Sequence, residues 1–328
     1  MSEKIKIGII GTGHLGQIHL KLLNRSDLFE ITGFFDTDAE TCRKIEQEYG
    51  ISSFESPDEL IKISDAIDIV TPTPSHFLYA QKAVKAGKHI FIEKPLTETT
   101  EQGQELVNLV EEAGVKAQIG HVERFNPAIL KADEYSPEPK FIEGHRLAEF
   151  NPRGTEVSVI MDLMIHDIDL AFHMIKSPIK SVSASGVAVV SDTPDISNAR
   201  LTFENGAVAN LTASRISVKK MRKLRLFQKN AYISIDMLNK ELEVFNLVEA
   251  NKDSNPWLVI NTDESQKGKE IDFQRPKVED VNSIELELTD FAESILKDQS
   301  PKVPIDEAFE SLKTAHEIQE QIDSYKLT

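Results

Sequence analysis

The chain has one cysteine, Cys42, in 328 residues. This excludes an intrachain disulfide and any zinc cluster built from several thiolates. It fits a reducing cytoplasm, and in the helix expected after Asp36 the thiol reads as a small packing group. Long apolar runs are missing as well. None approaches the roughly 20 residues that span a bilayer. The first residues already read as a strand, so neither a secretory leader nor a membrane anchor is expected. Positive charge is scarce: 37 Lys and Arg against 54 Asp and Glu leave a formal net charge of −17. Long-range repulsion from such a chain opposes phosphate-backbone binding and argues against a nucleic-acid role. A small anion responds to local charge and is not excluded. Internal repeats and low-complexity tracts are absent.

What is present is concentrated in the first forty residues. An apolar run, Ile5 to Ile10, leads into Gly11-Thr12-Gly13-His14-Leu15-Gly16, and a second run, Ile31 to Phe35, ends in Asp36. A G-x-G-x-x-G alone can be a simple turn. Here it sits in the order strand, turn, helix, strand, acid, which is the dinucleotide-binding context. The first glycine permits the tight turn, the second lets a pyrophosphate approach the backbone, and the third lets the helix pack on the sheet. N–H groups at the helix start, around His14 and Leu15, face the phosphates with the helix dipole behind them. Asp36 lies 20 residues beyond Gly16, placed to accept hydrogen bonds from the adenosine ribose. A carboxylate there repels a 2′-phosphate, and Thr37, not Arg, follows it. NAD is therefore the expected cofactor, and an NADP-dependent reductase conflicts with Asp36.

The pattern continues as alternating strands and helices. Strands are expected at Lys4–Ile10, Glu30–Asp36, Ile51–Phe54, Ala66–Val70, His89–Ile92 and Lys116–Ile119. Helices are expected at His14–Leu23, Ala39–Tyr49, Pro57–Ile63, Ser75–Ala86 and Thr99–Ala113. Such alternation implies a doubly wound parallel sheet over residues 1–121, with ligands beyond the strand ends at Gly11, Asp36, Thr71, Glu93 and Gly120. From residue 122 to 328 the pattern changes. A long apolar helix, Val157–Ile175, precedes six strand-like runs: Ile179–Val190, Ala199–Phe203, Ala207–Ile216, Lys223–Phe227, Ala231–Asp236 and Glu241–Phe245. Glu204-Asn205-Gly206 is a hairpin turn. Short turns between sequential strands imply a large, mainly antiparallel sheet in an α+β domain. Its helices cover one face, and a partner subunit is expected on the other. Ser254–Lys277 reads as an irregular polar loop. Helices near Val281–Lys297 and Pro304–Tyr325 follow, and the last is expected to pack back on the first domain.

Three groups of residues could carry chemistry. Glu93-Lys94-Pro95 follows a buried strand, where a nicotinamide would lie. Lys94 there could hydrogen-bond a substrate hydroxyl and stabilise its alkoxide; the alternative is a surface Lys–Glu pair of little worth. Asp162 and His166 are four apart and share a helical face, which Asp169 can join. Carboxylate–imidazole pairing suits a general base. The run lacks an H-E-x-x-H spacing and a further cysteine, so metal is not the expected reading. A hydrogen-bonded structural histidine is the other alternative. Arg124 and Asn126 follow Gly120, and with Arg146 and Arg153 they are candidates for binding a substrate carboxylate or phosphate. Salt bridging is the competing role for each arginine. Lys219–Arg225 is the densest basic run, by default a solvated strand face and alternatively an anion patch.

Together these residues resemble the Gfo/Idh/MocA oxidoreductase family across essentially the whole chain. The match rests on Gly11–Gly16 followed by His19, on Thr71-Pro72 with His76, on Glu93-Lys94-Pro95, and on Asp162 with His166. The resemblance implies a Rossmann domain plus an α/β domain whose open sheet forms dimers or tetramers. It implies that Lys94 and His166 work on the substrate hydroxyl with Asp162 orienting them. The nicotinamide would lie beside Lys94, and Thr71, Pro72, His76 and Glu93 would line the cofactor site. Substrates of the family are sugars, cyclitols or nucleotide sugars. Two departures stand out: Met164 occupies a position where glycine is usual, and Thr73 one where asparagine is frequent. "GHVERFNPA" and "DLMIHDIDL" are similar to a subfamily of UDP-N-acetylglucosamine 3-dehydrogenases. The expected activity is NAD-dependent oxidation of a secondary sugar hydroxyl. The rivals are a dehydrogenase of a free sugar or cyclitol and a non-catalytic cofactor or sugar sensor. The latter would have no need of Lys94, Asp162 and His166 together.

Overall fold

The computed structural model describes residues 4–135, 137–151, 157–249, 258–260 and 269–325. The chain forms two compact units, Met1–Val122 with Asn282–Lys313, and Glu123–Val281 with Thr314–Thr328.

The first unit begins β1 (Ile5–Ile10), α1 (His14–Leu23), β2 (Phe29–Phe35), α2 (Ala39–Tyr49), α3 (Pro57–Ile63) and β3 (Ala66–Ile69). It continues α4 (His76–Lys85), β4 (His89–Glu93), α5 (Thr100–Ala113) and β5 (Ala117–Gly120). The strands form one parallel sheet in the order β2-β1-β3-β4-β5. Ile7, Ile9, Ile67, Ile69, Ile90 and Ile92 are fully buried, as expected of strands covered on both faces. Helix starts are set by side-chain oxygens: Asp38 caps α2, Ser56 caps α3 ahead of Pro57, and Thr99 caps α5. Gly50 and Gly114 end α2 and α5 in the left-handed conformation. The direction in which strands are added to the sheet reverses between β1 and β3, and the crevice beyond their carboxyl ends is where such sheets hold a ligand. The strand expected at Ile51–Phe54 is only a single bridge, Ser53 to Phe34, because Ser56-Pro57 starts a helix at once.

The second unit opens with α6 (Pro127–Asp133) and β6 (Phe141–Leu147). A π-helical turn, Ile160–Met164, then runs into α7 (Ile165–Ile175). Eight strands follow: β7 (Ile179–Val187), β8 (Ile196–Phe203), β9 (Val208–Ser214), β10 (Met221–Gln228), β11 (Ala231–Asp236), β12 (Glu241–Glu249), β13 (Leu258–Ile260) and β14 (Lys269–Gln274). The last described helices are α8 (Ser283–Leu296), part of the first unit, and α9 (Ile305–Tyr325), part of it as far as Lys313. The nine described strands are ordered β13-β14-β12-β11-β10-β6-β9-β8-β7. Only the β6–β9 pair among them is parallel. The hairpin at Asn205-Gly206 is present, with Gly206 at φ +80° and its N–H donating to Phe203 O.

Three expectations change here. β6 was not anticipated and lies at the centre of the sheet. Part of the expected loop Ser254–Lys277 is strand, namely β13 and β14. The expected single helix Val157–Ile175 is a π turn followed by α7. One face of the sheet is covered by an apolar core in which Ile165, Ile168 and Met174 join Leu211, Leu224, Leu226, Ile233 and Ile235. The other face carries a row of half-exposed rings in register across five strands: Phe141, Phe227, Tyr232, Phe245 and Phe273. Successive ring centroids lie 5.8, 5.0, 5.3 and 4.6 Å apart. Among the described residues, no helix is long and apolar enough to cross a membrane.

Candidate active site

The turn after β1 is shaped by its three glycines. Gly11 sits at φ +91°, where only glycine is free of strain. A Cβ on Gly16 would fall 2.1 Å from the Gly11 carbonyl oxygen, so α1 can reach the sheet only without one. A Cβ on Gly13 would meet nothing within 4 Å, which leaves open space beside the start of α1. That open space, next to unpaired helix N–H groups, suits a diphosphate. His14 is exposed and Leu15 half-buried at the same helix start.

Asp36 follows β2, with Thr37 exposed beside it. Its Oδ2 accepts from Thr12 N at 2.7 Å and from Thr12 Oγ1 at 2.9 Å, and its Oδ1 accepts from Asp38 N at 2.9 Å. An ionised carboxylate has about four acceptor positions, so one remains for a ribose hydroxyl. Asp36 thus latches the glycine turn as well, a second duty not visible in the spacing.

Lys94 follows the end of β4 and is half-buried. Its N–H donates to Oε2 of Glu93 at 3.2 Å, and the Lys94–Pro95 peptide is cis. Thr71 follows β3, and its Oγ1 accepts from Ser75 Oγ at 2.8 Å; Pro72 O accepts from the same hydroxyl. His76 is buried at the start of α4, with Nδ1 2.9 Å from Pro95 O and Nε2 2.7 Å from Thr71 O. Burial pulls the His76 imidazole below its ordinary pKa, more than the two carbonyls raise it. Both ring nitrogens face the backbone, so His76 ties two strand-end loops together and shapes the site instead of offering a nitrogen to a ligand.

In the second unit, His166 lies one residue into α7 and is partly buried; Asp162 lies in the π turn and is exposed. The N–H of Ile165 reaches back five residues to Ile160 O. Such bulges recur at functional sites. Asp169 is paired with Arg124, whose Nε and Nη2 donate to Oδ2 and Oδ1 at 2.8 and 2.7 Å. Arg146 donates to Asp167 Oδ1 and Glu123 Oε1, each at 2.7 Å. All five charged groups are buried. Burial opposes the charge on Arg146, but Asp167 and Glu123 outweigh it and raise its pKa. Burial also opposes the Glu123 charge, and Arg146 more than offsets this, holding its pKa low. Asn126 caps α6 through Oδ1, and its Nδ2 donates to Glu123 Oε2 and Met237 O.

This corrects the reading of Arg124, Arg146 and Asn126 as anion contacts: their polar atoms are held by the protein's own carboxylates and backbone. The acids, 3 to 45 residues away in sequence, carried no signal of that pairing. Arg153 lies outside the described residues. The basic run Lys219–Arg225 is largely paired too, with Arg222 near Glu123, Lys223 on Asp236 and Arg225 on Glu143. Lys220 stands 3.8 Å from Glu149, both exposed.

A parallel sheet entered through a phosphate-binding glycine turn, an acid at the second strand end and a lysine at the fourth define a nicotinamide-dependent oxidoreductase. Residues 5–121 match the family model of the Gfo/Idh/MocA oxidoreductases with an NAD-binding Rossmann fold, and 130–234 match that family's C-terminal domain. The chain belongs to this family and is an NAD-binding dehydrogenase. It is 39% identical over 244 residues to the UDP-N-acetylglucosamine 3-dehydrogenase of Acidithiobacillus ferrooxidans, covering 74% of this chain and 77% of that one. A solved structure of that enzyme superposes with a TM-score of 0.89 at 31% identity, covering 98% of this chain and 99% of the other. The scyllo-inositol 2-dehydrogenase (NAD(+)) of Bacillus subtilis is 29% identical, covering 66% of this chain and 69% of its own.

Proposed function

We propose that the protein oxidises a secondary hydroxyl of a nucleotide sugar with NAD, UDP-N-acetylglucosamine at C3 being the first candidate. The observation that carries this reading is the 39% identity to the enzyme of that name over three quarters of the chain. Bound nicotinamide would supply the hydride acceptor; the protein supplies orientation and proton handling. Gly11, Gly13, His14, Leu15 and Gly16 would hold the diphosphate, and Asp36 with Thr37 the adenosine ribose. Thr71, Pro72, Glu93 and Lys94 would border the nicotinamide end, on loops that His76 ties. Lys94 hydrogen-bonds the substrate hydroxyl and stabilises the alkoxide. His166, oriented by Asp162, takes the hydroxyl proton, alone or shared with Lys94, since two such groups titrate as a coupled pair. Exposed Lys219 and Lys220 remain as cations for a diphosphate, the Lys220–Glu149 pair being too exposed to hold the lysine firmly. A cytoplasmic setting fits the single cysteine.

The test is a panel of UDP-N-acetylglucosamine, free N-acetylglucosamine and inositols with NAD and NADP, followed by absorbance of the reduced nicotinamide. The expected result is turnover of the UDP-sugar with NAD. Asp36→Ser with Thr37→Arg is expected to move preference towards NADP and, because the latch on Thr12 is lost, to weaken cofactor binding as a whole. Equal activity on free N-acetylglucosamine removes the nucleotide sugar. Turnover of inositols instead favours a cyclitol enzyme, for which the Bacillus subtilis relative speaks. Cofactor binding with no turnover of any sugar leaves the sensor.

We also propose that two copies meet through the ringed face of the nine-stranded sheet, as a homodimer or as part of a homotetramer. Five half-exposed aromatic rings in one row are more apolar surface than a monomer keeps without use. Beside them, Arg225–Glu143 and Arg275–Glu243 give a polar surround. Light scattering is expected to report an oligomer for the wild type, and smaller particles for Tyr232→Glu with Phe245→Glu. A monomeric wild type ends this proposal.

A further inference from the structure

The first unit lines up three ionisable side chains, His19 and Asp68 fully buried and Glu93 mostly so. Register places Asp68 of β3 beside Phe91 of β4, and Glu93, two residues on, points to the same sheet face. α1 covers that face and brings down His19, fully buried, with its ring edge against Phe91. His19 Nδ1 lies 3.0 Å from Asp68 Oδ2. Its Nε2 lies 3.3 Å from Glu93 Oε1, an ion-pair distance off the ideal hydrogen-bond line. The second oxygen of Glu93, Oε2, accepts the N–H of Lys94. On the next strand, Gly120 is Glu93's partner, and a Cβ there would sit 2.9 Å from the Glu93 carboxyl carbon. The fold therefore keeps space for that carboxylate. Beyond it, His76 holds Pro95 O from α4.

A buried ionic line of this kind is a poor way to gain stability. Apolar side chains of the same volume serve as well or better, because charges lose their hydration on burial. What the line does that apolar groups cannot is fix the direction of a carboxylate. We propose that His19, held by Asp68, is a positioning residue: it orients Glu93, which in turn sets the backbone at Lys94 and aims the lysine side chain. Burial opposes a charge on His19, but Asp68 and Glu93 outweigh it and hold the imidazole well above its ordinary pKa. The charged ring then donates to Asp68 and faces Glu93 as its ion-pair partner. The inference rests on the proposed role of Lys94 and adds the parts that aim it.

The test measures kcat, the sugar KM and NAD affinity for His19→Asn, made in the wild type and in Lys94→Ala. A misaimed group costs roughly ten- to a hundredfold in turnover, so His19→Asn is expected to lower kcat by about that much in the wild type. KM and NAD affinity are expected to change little. In the Lys94→Ala background, His19→Asn is expected to cost nothing further. An equal fold-loss in both backgrounds, or a stable His19→Asn with full kcat, overturns the proposal while leaving Lys94 in place. Full activity of Lys94→Ala itself instead removes the role of Lys94. If His19→Asn does not fold, Asp68→Asn takes its place with the same criteria, because it removes the charge that holds His19 and leaves Glu93 itself in place.

Discussion

Lys94→Ala is expected to lower turnover by about a hundredfold or more, and His166→Ala to do the same, the usual scale for a lost proton-transfer group. NAD affinity should stay within a few-fold in both. The separation follows from where the work is done. The cofactor is gripped by the glycine turn and Asp36, which share no hydrogen bond with either residue among those described. Lys94 is fixed at its backbone by Glu93, a contact that truncating the side chain does not remove. Steady-state kinetics with the accepted sugar and a fluorescence titration with NAD separate the two quantities. A fully active His166→Ala enzyme returns that residue to a structural role in α7. A parallel loss of NAD affinity in Lys94→Ala means the side chain props the cofactor loop and is not confined to the hydroxyl.

The first unit was legible because its rules are local. Capping side chains, terminal glycines and buried isoleucine runs fixed α2 at Ala39–Tyr49 and α3 at Pro57–Ile63 to the residue. The glycine turn announced its own use. The second unit hid its central strand. β6 reads Phe-Ile-Glu-Gly-His-Arg-Leu, and its core-facing positions are Ile142, Gly144 and Arg146. A period of two in hydrophobicity is invisible when a core position is glycine, kept small because Leu211 and Leu224 fill the space above it, and another is an arginine buried against acids. β14 was hidden in the same way by Lys269, Glu270 and Asp272. The last helix was expected to pack on the first domain; that α8 belongs to the first unit was not visible, since nothing in an amphipathic helix says which core it will meet. The site followed this division. Strand-end residues Asp36 and Lys94 could be named from the motif. The second duty of Asp36, the His19–Asp68–Glu93 line and the pairing of Arg124 are contacts between residues 24 to 74 positions apart, which spacing does not encode.

That pairing gives the second large effect. Arg124 and Asp169 are each about 1% exposed and joined by two hydrogen bonds. Removing the guanidinium in Arg124→Met leaves a carboxylate buried without its main counter-charge. Breaking a buried pair from one side costs about 3–5 kcal/mol. For a unit of this size that is a melting shift on the order of 10 °C. The second substitution, Asp169→Leu, then removes the stranded charge. Replacing both partners by apolar groups is often neutral or better, so Arg124→Met with Asp169→Leu is expected to melt much closer to the wild type than Arg124→Met alone. The same pair of variants decides between structure and substrate binding. If Arg124 serves Asp169, the double variant recovers stability and keeps the KM for a UDP-sugar. If Arg124 instead holds the diphosphate, both variants raise that KM alike, raised salt adds to the loss, and the single substitution barely lowers the melting temperature. The bidentate geometry and the near-complete burial of both side chains set the expectation on the first outcome.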